Sequence, residues 1–216
     1  MSGADEITAR LPTVGHAEVW HVGTMDPGDK RRQSWEGMGL SVSRHPHGWV
    51  KICDGHVRGD FWRLEKPTAA FVDMIALRWR EEFADVRKAL VRWGVEQGLL
   101  VEMGMPDPWG TDKLFARVGM DKEHGSALTF AVAVFVEENT DLDGCWWEYP
   151  VEIKRGANGK APVGVIVPAR VDTWRAERAD AASAPDAPRR RRARPAERGP
   201  GAEPTDDVVQ PPAPGR

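Results

Sequence analysis

The chain has 216 residues, with 30 Lys and Arg against 33 Asp and Glu, for a net charge of −3. That length suits one globular domain with an appendage better than two full domains. The longest apolar run, at 127–136, is too short to span a bilayer, the N-terminus lacks the basic start and apolar stretch of a secretory signal, and two cysteines are too few for a disulfide framework, so a soluble protein of the reducing cytoplasm is expected.

In chain order, residues 1–14 are expected to be loose, and an α+β globular domain is expected over 15–174. Residues 17–22 (AEVWHV) read as a short strand that ends at Gly23, and residues 25–37 as a polar loop. Residues 39–43 (GLSVS) alternate Leu40 and Val42 with serines, the pattern of a half-buried strand. Pro46 is placed to open a short helix that runs to Ile52. Strands follow at 61–64 and 71–74.

The clearest helix is expected over 78–97. Trp79, Phe83, Val86, Leu90 and Trp93 recur at helical spacing, which places all five on one core-facing stripe. Gly98 can supply its left-handed C-terminal residue. Residues 101–112 are irregular, and Trp109 sits between Pro108 and Gly110 in that stretch. The β-branched and aromatic run 128–136 reads as a buried strand. Residues 145–154 and 163–167 flank Asn158-Gly159, a strong turn signal, and make a hairpin. A twisted antiparallel or mixed sheet with one long amphipathic helix is the expected architecture.

Composition changes after Trp174. Residues 175–216 hold eight Pro and nine Arg against seven acids, with no aromatic residue and no Leu, Ile or Met. Such a segment buries too little apolar surface to offset the entropy of ordering, so a disordered tail of charge +2 is expected, leaving −5 for residues 1–174. Arg189, Arg190, Arg191, Arg192, Arg194 and Arg198 form a basic cluster in it, which gives a tether for nucleic acid or an acidic partner, or simply a solvated low-complexity tail.

Three short segments carry candidate chemistry. Trp20-His21-Val22-Gly23-Thr24 presents an imidazole at a strand end beside short polar residues, suited to hydrogen-bonding a ribose hydroxyl or a carboxamide. Gly37-Met38-Gly39-Leu40-Ser41-Val42-Ser43 combines permissive glycines with serines that line one strand face, flanked by Trp35 and Trp49. Trp146-Trp147-Glu148-Tyr149 sets a carboxylate beside two indoles, where its pKa can be raised.

In this order the segments resemble the diphtheria-toxin-like, His-Tyr-Glu branch of ADP-ribosyltransferases, which includes the poly(ADP-ribose) polymerases. The resemblance implies two twisted sheets with an NAD cleft between them. It implies NAD as the substrate and an ADP-ribosyl transfer to an unknown acceptor, while the lack of a span-length apolar run leaves no membrane partner expected. Glu148 and His21 would be the catalytic pair, with Glu148 stabilising the ribosyl cation and His21 positioning the substrate. Gly23, Thr24, Gly39, Leu40, Ser41 and Ser43 would contact the nucleotide. Ser41 stands where the family's stacking Tyr is expected, and Trp35 or Trp49 is the alternative platform.

The alternative is a non-enzymatic interaction protein that works through the arginine cluster. A third constellation, His45, His47, Cys53 and His56, offers zinc-compatible donors, although ordinary turn histidines explain the same pattern.

Overall fold

The computed structural model describes residues 3–25, 38–52, 58–101, 115–116, 127–150 and 160–185. They form an α+β domain around one eight-stranded mixed sheet. The strands are β1 (Thr13–Gly15), β2 (Glu18–Gly23), β3 (Leu40–Ser43), β4 (Asp60–Glu65), β5 (Ala70–Asp73), β8 (Gly144–Pro150), β9 (Lys160–Ile166) and β10 (Arg175–Ala179). Two further short strands, β6 (Leu100–Val101) and β7 (Phe115–Ala116), pair only with each other. The spatial order in the large sheet is β1-β5-β8-β9-β3-β2-β4-β10. Every neighbouring pair is antiparallel except β5 and β8.

Strand alternation sorts the core into two sides. Val72, Cys145 and Val165 point to a cluster that also holds Ile7, Leu90 and Phe135 from helices α1 (Gly3–Ala9), α4 (Ala84–Glu96) and α5 (Ala127–Asn139). Their neighbours Phe71, Trp146 and Ile166 point the other way, to Val19, Leu40, Val42 and Leu64. Leu64 on β4 and Phe71 on β5 share that second cluster although four strands separate them in the sheet, so the sheet curls around it. Helix α2 (Pro46–Ile52) adds Trp49 to a smaller cluster with Val22 and Val163.

The short strands, the helix opened by Pro46 and the β8–β9 pair follow the expected pattern. Gly98 adopts the expected left-handed conformation, φ 70°. The turn 151–159 lies outside the described residues, as does Trp109.

Four expectations are corrected. Residues 3–9 are helical and Ile7 and Leu11 are buried, so the N-terminal segment is part of the fold. The single helix over 78–97 is two: α3 (Met74–Trp79) ends at Arg80, whose extended backbone (φ −91°, ψ 129°) breaks the path before a 3-10 turn and α4. Trp79 falls before the break and is 70% exposed rather than in the core. The run 128–136 is helix, within α5: every residue from Phe130 to Val136 is buried, because the helix packs against α1, α4 and β8 together. A helix covered on all sides has no polar stripe and mimics a buried strand. Finally, the fold does not stop at Trp174. Strand β10 pairs with β4 from Arg175↔Glu65 to Ala179↔Phe61, and a 3-10 turn follows at Ala181–Ser183.

Candidate functional site

His21 is the centre of the nominated site. It lies on β2 and is buried, with 8% exposure. Its Nδ1 is 2.7 Å from the Ser41 carbonyl oxygen and its Nε2 is 2.9 Å from the Thr24 carbonyl oxygen. Gly23 makes the second contact possible: its φ of 140° turns the chain back, and a Cβ there would stand 3.0 Å from Nε2. Trp62 Nε1 donates to the Gly23 carbonyl at 3.0 Å and fixes the same turn.

Two carbonyl acceptors match an imidazolium, which has two N–H donors. Burial works against that charge and holds the His21 pKa below its ordinary value, while both carbonyl bonds oppose the shift. Either way the ring nitrogens are directed at the protein's own backbone.

The other nominated residues divide. Ser41 and Thr24 join His21, but through their carbonyls. Ser43 Oγ accepts from His45 N at 2.9 Å and prepares the start of α2. Leu40 is core. Gly39 (φ 114°) passes so close to β9 that a Cβ would collide with the Ile166 carbonyl, so its role is backbone approach. Trp49 lies 6.3 Å from the His21 ring, but it is only 3% exposed and sits among core side chains; its Nε1 is buried without a partner. Trp35 lies outside the described residues.

Glu148 stands on β8 opposite Pro162, and its side chain lies outside the described residues. His21 on β2 is three strands away across β9 and β3, roughly 14 Å at the usual strand spacing before curvature. Sequence order therefore brings His21, Gly23, Thr24 and Ser41 together, with Glu148 three strands off.

No family model, curated protein or solved structure matches this chain. Chemistry must be argued from its own residues. Of the zinc-type set, His47 Nε2–H donates to the Ala181 carbonyl at 2.8 Å, and Cys53 and His56 lie outside the described residues. Among the described residues no group of three or more His, Cys, Asp or Glu is placed to hold a metal ion, and no helix is long and apolar enough to cross a membrane.

Two polar centres escaped the sequence reading. Asp143 is a carboxylate with 1% exposure. Its Oδ1 accepts from Lys66 Nζ at 2.7 Å and Trp174 Nε1 at 3.1 Å, and its Oδ2 accepts from Ala70 N at 3.0 Å. Lys66 also donates to Thr173 Oγ1 at 3.0 Å. His16 packs its ring 4.1 Å from Trp146, with Nε2 buried and unpartnered. Burial, reinforced by Arg44 and opposed by Asp73, lowers its pKa to about 4. Burial also pushes the Cys145 thiol up to about 12, which makes it inert as a nucleophile. Asp143 and Cys145 are buried, and His16 is half-buried against Trp146.

Proposed function

We propose that the protein is a binding protein whose arginine cluster at 189–198 engages a polyanion, with the folded domain as its carrier. The observation that supports this is where β10 carries the chain. Exposed strand β10 and the turn after it bring the chain to Pro185 at the sheet edge, held there by His47 on Ala181 and by buried Ala184. The first arginine of the cluster follows four residues later. Arginine forks match phosphate and carboxylate oxygens alike, and six arginines within ten residues suit a polymer charged at every unit, such as nucleic acid.

Fluorescence anisotropy with a labelled single-stranded oligonucleotide tests it. Binding is expected to weaken with salt, with a log–log slope of up to about −4 if all six arginines contact phosphates. A chain ending at Pro185 is expected to lose it. Binding that survives this truncation, or ignores salt, overturns the proposal; a response to a polyglutamate but not to the oligonucleotide assigns an acidic protein instead.

The ADP-ribosyltransferase-like reading has one supporting observation, the convergence of His21, Gly23, Thr24 and Ser41. It requires His21 to exchange a backbone carbonyl for a ribose hydroxyl and Glu148 to reach the same nucleotide. Calorimetric titration with NAD, together with an assay for nicotinamide release, is the test. Silence in both, or turnover that survives Glu148→Gln, removes it.

A further inference from the structure

Among the described residues only two large apolar side chains are strongly exposed, Ile75 at 38% and Trp79 at 70%. They stand four residues apart on α3 and so share a helical face. The Arg78 guanidinium lies 4.9 Å from the Trp79 ring centre, yet the ring remains mostly open. Trp and Arg are both among the side chains enriched where binding energy concentrates.

The charges around this knob decide its partner. Arg78 and Arg80 are followed at once by Glu81 and Glu82, and all four are exposed. Arg80 and Glu82 are 3.7 Å apart with both side chains 65% exposed, and Glu81, 94% exposed, is 3.8 Å from Arg87. Arg78, Arg80, Arg87 and Lys88 nearly balance Glu81, Glu82 and Asp85, so the patch offers a polyanion no concentrated positive charge. A surface of the same composition, rotated by a two-fold axis, sets each basic pair against an acidic pair.

We propose that this face is a self-association surface, on which a second copy of the chain packs its Trp79 and Ile75 against the first. Arg78 and Arg80 of each copy then oppose Glu81 and Glu82 of the other. With only two large apolar side chains to bury, the contact is weak, with a dissociation constant on the order of 100 µM.

Sedimentation velocity on the full chain, without nucleic acid, is the test. The weight-average sedimentation coefficient is expected to rise across a dilution series spanning that constant. Trp79→Ser is expected to abolish the rise while leaving the melting temperature unchanged, because the ring is exposed. Two charge variants, R78E/R80E and E81R/E82R, are each expected to stay monomeric and to associate when mixed. A wild-type chain that is monomeric throughout, or Trp79→Ser protein that associates as wild type does, overturns the proposal. A mixture of the charge variants that stays monomeric overturns the two-fold charge pairing.

Discussion

Replacing Asp143 by Ala removes the acceptor of three donors: the Lys66 ammonium, the Trp174 indole N–H and the Ala70 amide. Lys66 is partly exposed and keeps Thr173, so the indole and the amide carry most of the loss, about 2–4 kcal/mol. Urea denaturation of Asp143→Ala is expected to show a loss of that size, with Asp143→Asn, which keeps one acceptor, in between. His16 gives a second test. Its ring is neutral in the fold down to about pH 4, whereas in the unfolded chain it takes a proton near 6.5. Across that window the unfolded state binds more protons, so His16 costs nothing above it and destabilises increasingly as the pH falls through it. Because the ring is partly exposed, the effect is discounted to about 1 kcal/mol, or about 2–4 °C in melting temperature. His16→Phe keeps the ring packing on Trp146 and is expected to remove that share of the drop between pH 7 and pH 4.5. A drop of unchanged size in the variant assigns the acid sensitivity elsewhere. Neither residue stood out in the sequence. The partners of Asp143 lie 31, 73 and 77 positions away, and nothing in Asp141-Leu142-Asp143 distinguishes it from a solvated loop.

Elements were legible where the signal is local. Pro46 opens a helix, Gly98 follows the last turn of one, and Leu40 and Val42 alternate on a strand, because backbone chemistry within a few residues dictates each. Tertiary surroundings settled the others. Helix α5 hides its period because three neighbours cover it, and α3 parts from α4 at Arg80 through a non-local device. Arg87, one turn into α4, donates to the Leu77 and Arg80 carbonyls at 3.0 and 2.8 Å and so holds the break from across it. Strand β10 is almost wholly exposed, so composition reads it as tail, although its backbone completes a ladder and Arg178 pairs with Asp60 at 2.6 Å. A chain cut after Trp174 is accordingly expected to melt lower than the full chain, by on the order of 2–3 kcal/mol for the lost ladder and anchors. One cut after Pro185 is expected to melt as the full chain does. Equal melting of both would show that β10 adds nothing to stability.

At the scale of the molecule, the candidate site was legible as a gathering and illegible as a chemistry. The motif His21-Val22-Gly23-Thr24 folds back on itself as its glycine suggests, but the carbonyl at the imidazole's other nitrogen comes from Ser41, on a different strand. The same non-local pairing that closes the sheet also sets a schedule for its manufacture. Strand β4 leaves the ribosome about 110 residues before β10, the strand that covers its outer edge. At 5–20 residues per second the nascent chain carries that edge uncovered for roughly 5–25 s. During that interval Phe61, Trp62 and Leu64 lie along a strand with unpaired backbone groups, able to accept a strand from another chain.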